Sequence, residues 1–269
     1  MAVIAMQSAA SGLRALDTRL DVIANNLANV NTEGFKSSRV NFEDLLYIER
    51  SQPGVENSNG DRKPTGLYVG LGVRASGTQQ DFSQGAPTPG TSPLDMMIEG
   101  RGFFKVAVET DFGEGGFAYT RAGNFTLNSN GSLVLANSDG RLLDPEITLP
   151  DNAKNFDVDR SGKVTYTLPG VADPVEAGII NISVFINPAG LTQAGSNLWV
   201  QSAASGPPIE GQPGTQNFGT ILGRSLEGSN VDPARELIEL IRTQRAFEMN
   251  SQAIRAADET LQSVAQLRR

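Results

Sequence analysis

The sequence predicts an α+β protein in which long N- and C-terminal helices form a coiled coil and the chain between them folds as a β-rich domain. Three observations predict it. An apolar stripe with alternating steps of three and four lies near the N-terminus, and a seven-residue apolar repeat lies near the C-terminus. Between them come short apolar bursts separated by Gly, Pro, Asn, Ser and Thr.

The N-terminal stripe is Met6, Ala9, Leu13, Leu16, Leu20, Ile23, Leu27 and Val30. Its mean step of about 3.5 residues puts these side chains on one narrow seam, as at the a and d positions of a heptad. Arg14, Asp17, Arg19 and Asp21 take the opposite face. A helix of about 25 residues at this rise is about 38 Å long. Asn29 and Asn31 tolerate left-handed backbone at its end, and Gly34 follows.

At the other end Asp232 is placed to cap a helix and Pro233 suits its first position. Leu240, Phe247, Ile254 and Leu261 recur every seventh residue, and Leu237, Ile241, Ala257 and Val264 are expected to widen the same face. Two such stripes can close on each other within one chain or be completed by other subunits, and periodicity alone does not choose between these.

The middle of the chain reads as strands. Phe103–Val108 is one, and Ile179–Ile186 is another. Phe125–Leu127 and Leu133–Leu135 flank an Asn130-Gly131 turn, while Phe156–Val158 and Val164–Thr167 flank a second turn ending in Gly162. Residues 48–66 are different: Pro, Gly, Ser and Asn dominate, so the segment is either a flexible loop or one that orders against neighbours. The expected divisions are therefore an N-terminal helix over 1–34, a linker with a polar extended segment over 35–72, a β-rich domain over 73–222 and a C-terminal helix over 223–269.

Composition narrows the function. The 269 residues carry a net charge of −8, with no dense Lys/Arg run, which argues against a nucleic-acid partner. Cysteine and histidine are both absent, which removes thiolate chemistry, imidazole bases and the commonest zinc ligands. The first ten residues do not read as a secretory leader, and no apolar run nears the ~18 residues of a membrane span. Asp157–Gly162 resembles the opening of a calcium loop, but the twelfth position, where a bidentate acid is required, is Leu168, so a hairpin turn is expected. Glu43 with Asp44, Asp144 with Glu146, and Glu236 with Glu239 could supply paired carboxylates, yet no convergent partner is visible. Gly70-Leu71-Gly72 and Gly100-Arg101-Gly102 lack the strand-to-helix setting of phosphate loops and read as strand-edge turns. No catalytic residue, metal ligand or cofactor site is expected.

Residues 22–36 read Val-Ile-Ala-Asn-Asn-Leu-Ala-Asn-Val-Asn-Thr-Glu-Gly-Phe-Lys. This resembles the signature of the axial proteins of the bacterial flagellum, the family of rod, hook and hook-associated proteins. Asn25, Asn26, Leu27, Asn29, Thr32, Gly34 and Phe35 carry it, with Ser11-Gly12-Leu13 upstream. Gly100–Phe104, Tyr119–Gly123, Glu227–Val231 and Thr243–Ser251 resemble later segments of the same family, so the likeness covers almost the whole chain. Phe42–Tyr47 and Gly66–Val73 resemble the distal-rod members, whereas Val106–Phe117 departs from the usual pattern by a few Gly-rich residues.

The resemblance implies a structural protein of the flagellar basal body, exported unfolded by the flagellar type III apparatus without a cleaved signal. A chain without cysteine suits such a route, since no bridge can form too early. Its implied partners are further copies in a helical polymer, proximal rod proteins, the hook protein, and the P-ring and L-ring proteins around the rod. Its implied site is periplasmic. The implied assembly seam is Leu13, Leu16, Leu20, Ile23, Leu27, Leu240, Phe247, Ile254 and Leu261. Phe42 and Leu46 fit a short apolar export motif, and secretion of a variant with Ala at both positions tests that role against ordinary packing. The rival readings are another axial protein, such as a proximal rod or short hook subunit, a secreted β-rich adhesin, and an acid/base glycosidase.

Overall fold

The computed structural model describes residues 2–54, 64–109, 114–150, 152–169 and 173–267. The chain forms two compact units, one from Met1–Ala28, Ser38–Gln79 and Asp232–Arg269, the other from Asn29–Ser37 and Gln80–Val231.

The first unit holds both helices, α1 (Ala2–Ala28) and α2 (Pro233–Leu267), with strands β1 (Ser38–Asp44), β2 (Tyr47–Ser51), β3 (Leu67–Gly70) and most of β4 (Val73–Gln80). β1 pairs with β4, and β2 pairs antiparallel with β3, Ile48 opposite Val69. The expected linker over 35–72 thus contains three strands and leads directly into a fourth. α1 ends at Ala28, before the expected boundary at 34.

α1 packs on α2 and on β1. α2 starts where its capping residue predicts: the Asp232 carboxylate accepts hydrogen bonds from the backbone N–H groups of Ala234 and Arg235 at 3.0 and 3.2 Å. Along α2 the covered positions include Glu236, Leu240, Thr243, Asn250, Ile254, Ala257 and Leu261, with Phe247 at the margin and Glu239, Ala246 and Ser251 flanking them. They follow steps of four and three, so one seam faces inward. Leu237 and Ile241 do not widen this face. They lie half-exposed on another side of the helix, because steps of one residue rotate a side chain by about 100°. The side chain of Val264 lies outside the described residues.

The second unit contains β5 (Pro87–Pro89), β6 (Met96–Glu99), β7 (Phe103–Ala107), β8 (Phe117–Thr120), β9 (Phe125–Leu127), β10 (Leu133–Leu135), β11 (Lys154–Val158), β12 (Lys163–Thr167), β13 (Val175–Ile179), β14 (Ile182–Val184), β15 (Thr192–Gly195), β16 (Leu198–Val200), β17 (Ile209–Gly211), β18 (Thr220–Gly223) and β19 (Ser225–Glu227). Its centre is a six-stranded sheet in the order β15-β16-β8-β7-β14-β17. The run expected as one strand over 179–186 is split between β13 and β14, which belong to different sheets.

Strand alternation explains why β16 is apolar throughout and β7 is apolar except at Lys105. On β7, Phe104 and Val106 enter the main core while Phe103 enters a second cluster on the other face. β16 repeats this, with Leu198 and Val200 on one side and Trp199 on the other. Phe82, Phe103, Tyr119, Phe185 and Trp199 meet edge to face at 4.7–5.9 Å between ring centroids.

Both expected hairpins are present. β9 pairs with β10 around a turn in which Asn128 Oδ1 accepts from the N–H groups of Asn130 and Ser132, and Gly131 supplies φ +78. β11 pairs with β12 around Asp159–Gly162. Backbone and hydroxyl hydrogen bonds from Arg160 and Ser161 hold the Asp159 carboxyl below its ordinary pKa, as expected for a turn residue. Among the described residues no cluster of three or more acidic side chains could hold a metal ion.

Candidate assembly surface and signature segments

The signature residues do distinct jobs. Asn26 is buried at the end of α1, where its Oδ1 accepts from the Ser38 N–H at 3.0 Å and its Nδ2 donates to the Ser38 carbonyl at 2.9 Å. The same Nδ2 reaches Glu236 Oε1 at 3.2 Å, so one amide ties α1 to both β1 and α2. Arg19 adds an ion pair to Glu239 at 2.5 Å. Gly12 lets the helices approach: a Cβ there would lie 3.1 Å from Asn250 Nδ2. Ser11 Oγ donates to the Ser8 carbonyl and accepts from the Val73 N–H at 3.2 Å.

After α1, Asn29 Oδ1 accepts from the Thr32 hydroxyl at 3.1 Å. Gly34 then adopts φ +68 so close to the chain at Arg121-Ala122 that a Cβ would lie 2.6 Å from the Ala122 nitrogen. Lys36 follows, fully buried, with its ammonium donating to Glu227 Oε1 at 2.5 Å and to the Ser83 carbonyl at 2.7 Å. Glu227 Oε2 accepts from Arg121 Nη1 at 3.2 Å. Burial pulls the Lys36 ammonium below its ordinary pKa of 10.5 against the attraction of Glu227, and it lowers Arg121 for the same reason. Sequence reading found no role for this buried cluster, since each member resembles a surface charge by type.

The seam residues stand as follows. Ile23 is buried, Leu13, Leu16, Leu20 and Leu27 are half-buried on α1, and Leu240, Ile254 and Leu261 are half-buried on α2. Phe247 is 36% exposed. Leu237 and Ile241, expected to widen the seam, instead lie with Ile238 and Met249 in a second stripe that faces water, Met249 at 64%. Phe42 and Leu46 are exposed too, Leu46 at 82%, beside Tyr47, Ile48, Leu67 and Tyr68 of the β2–β3 hairpin. An apolar groove of about 580 Å³ runs past Ile4, Ala5, Val69, Gly70, Ala256 and Ala257 in the same unit.

The candidate carboxylates have separate partners. Glu43 pairs with Arg74, Asp144 with Lys105, Glu239 with Arg19 and Arg242, and Glu146 accepts from the Ser132 hydroxyl. Glu236 and Glu239 line one cleft with Arg19 and Asn26, but each is engaged there, Glu236 by the Asn26 amide and Glu239 by Arg19.

Three segments match known protein-family domains. Residues 6–36 match "Flagella basal body rod protein", residues 97–166 match "Flagellar hook protein FlgE/F/G D1 domain", and residues 223–267 match "Flagellar basal body rod FlgEFG protein C-terminal". The flagellar basal-body rod protein FlgG of Caulobacter vibrioides is 43% identical over 98% of this chain and 99% of its own. The chain belongs to the FlgG family of flagellar basal-body rod proteins. FlgG of Borreliella burgdorferi is 40% identical, and FlgG of Bacillus subtilis 38%, each over 98% of both chains. As a FlgG-family protein it is a structural subunit of the flagellar distal rod and not an enzyme. Its paired-off carboxylates accord with that role.

Proposed function

We propose that the chain polymerises into a helical, periplasmic tube that carries torque from motor to hook and forms part of the export channel. In this reading α1 and α2 form a coiled coil whose remaining apolar faces are covered by neighbouring copies. The carrying observation is the stripe of Leu237, Ile238, Ile241 and Met249 on α2, left in water although the helix already buries a seam on another face. On a helix pair that needed no partner this face would be charged throughout, whereas here Arg245 and Glu248 only interrupt the apolar side chains. Contacts between unlike patches of identical copies repeat without closing and generate helical polymers. The proximal rod proteins, the hook protein, the P- and L-ring proteins and the type III export apparatus complete the expected set of partners. Replacing Ile238 and Ile241 together with Glu should leave the purified subunit folded but unable to form rods by electron microscopy. Rods of normal length would overturn the assignment of this stripe.

The β2–β3 hairpin supports a second element of the same reading. Its exposed Leu46, Tyr47, Ile48, Leu67 and Tyr68 can lie along a neighbour and resist sliding, giving a straight, stiff rod. Glu56, Asp61, Arg62 and Lys63, which could add directional contacts to a neighbour, fall outside the described residues. Deleting residues 50–64 should give curved polymers, and straight ones of unchanged stiffness would sink the bracing role.

A further inference from the structure

Lys36, Arg121 and Glu227 come from the start, middle and end of the second unit, separated by 191 residues between Lys36 and Glu227 and 106 between Arg121 and Glu227. The side chains of Lys36 and Glu227 have no exposed surface, and Arg121 is 5% exposed. Every other partner is backbone: the Gly85 N–H donates to Glu227 Oε1 at 3.0 Å, and Arg121 donates to the carbonyls of Ile98 and Gly100. Arg121 also lies over the Phe103 ring at 5.3 Å, while its buried Nε has no hydrogen-bond partner. With one carboxylate for two buried cations, the site is solvable only when Glu227 is present. The segment around Lys36 depends on the same stretch of chain. Gly34 N–H donates to the Glu227 carbonyl at 2.7 Å, Ser37 N–H to Asn230 Oδ1 at 2.7 Å, and Asp81 N–H to the Ser37 carbonyl at 2.8 Å.

We propose that this cluster is a folding checkpoint: residues 29–37 dock onto their unit only when Glu227 arrives, so the unit stays open at this edge until the chain is complete through residue 227. The physical cause is the penalty for burying an ammonium without its counter-ion, which exceeds that for leaving it in water. The six-stranded sheet and the β9–β10 and β12–β13 pairings do not need the cluster to form, because their side chains draw on a separate apolar core. The device orders events rather than adding stability, since a buried ion pair is often no better than apolar packing of the same volume.

Hydrogen exchange on the full chain tests it. In pulse labelling during refolding, protection at Asp81 and Gly34 should appear after protection at Leu135 and Ile180, whose N–H groups bond to Arg141 and Gly162 carbonyls. Earlier or simultaneous protection overturns the checkpoint. In native E227Q, exchange at Gly34 and Asp81 should accelerate by about 100-fold or more, as for a buried pair that loses one partner. Leu135 and Ile180 should change by less than about tenfold in the same protein, as both lie in the main apolar core and not in the ion cluster. An equal loss at all four overturns the proposal, because the ions would then support the whole unit. The triple variant K36M/R121M/E227L should restore protection at Asp81 and abolish its delay, since an apolar cluster needs no counter-ion. A triple variant that remains unprotected at Asp81 also overturns it.

Discussion

The two units of this chain satisfy opposite requirements. The β-rich unit packs apolar clusters on both faces of its six-stranded sheet and buries the Lys36, Arg121 and Glu227 ions, although Ile186 and Ile209 remain exposed. Residues as large as Phe104, Phe125 and Phe185 have essentially no exposed surface. The helical unit covers one seam on α2 and leaves Leu46, Tyr47, Leu67, Tyr68, Leu237, Ile238 and Met249 largely in water. Residues of similar hydrophobicity thus have different fates in one chain. The difference teaches where the chain is self-sufficient and where it waits for company: burial of apolar surface drives both folding and association, and surface left over after folding remains available for association.

The sharpest way to break this comparison is to truncate one large apolar side chain in each unit. Phe104→Ala should destabilise the β-rich unit by about 3–5 kcal/mol, through lost burial and the cavity left behind. Met249→Ala should change monomer stability by less than about 0.5 kcal/mol, as a surface substitution. Urea unfolding of the dilute monomer measures both. Equal losses would mean that α2 is already covered without neighbours.

A smaller effect comes from the helix start. Asp232→Ala removes the acceptor for the Ala234 and Arg235 N–H groups and should cost about 1 kcal/mol. Helical circular dichroism should register the loss while sheet protection stays unchanged. A loss of protection in the β-rich unit as well would mean that the start of α2 supports more than its own unit.

The smallest expected effect is a pH dependence. Burial, then the nearby Glu239 charge, hold the Glu236 carboxyl above its ordinary 4.5, although the Asn26 hydrogen bond and the charges of Arg235 and Arg19 oppose this. A raised folded value means the folded state binds the proton more tightly. The associated stability is fully present below about 4.5 and is lost as pH rises through the folded value. Glu236→Gln should therefore match the parent at acid pH and exceed it slightly at neutral pH. A variant less stable than the parent at neutral pH would show that the charge on Glu236 holds the helices together.

The sequence made the regular parts legible and concealed the irregular ones for identifiable reasons. The 3-4 apolar steps and the Asp232-Pro233 pair placed the helices, and Asn130-Gly131 placed a hairpin, because each signal is local. Strands β1 to β3 were hidden in an expected linker. Two-stranded and largely exposed, they carry Asn41, Glu43, Glu49 and Arg50 where a half-buried strand would alternate cleanly. The α2 seam was found only in part. Thr243 and Asn250 occupy it as polar residues, while Leu237 and Ile241 advertise a face that the subunit leaves open. Lys36, Arg121 and Glu227 were legible only as members of three separate signature segments, since their pairing arises through tertiary proximity.

The lone tryptophan of the chain sits where it can serve as an optical probe. Trp199 is enclosed by Phe82 and Phe103, and its indole N–H donates to Gln80 Oε1 at 2.7 Å. Its emission colour should therefore report hydration of the β-rich unit alone, shifting red when water enters the aromatic cluster. The helical unit contains no tryptophan and is read instead by far-ultraviolet ellipticity. Recorded together during polymerisation, the two signals would separate ordering of the helices from any change in the β-rich unit, without a label attached to the protein.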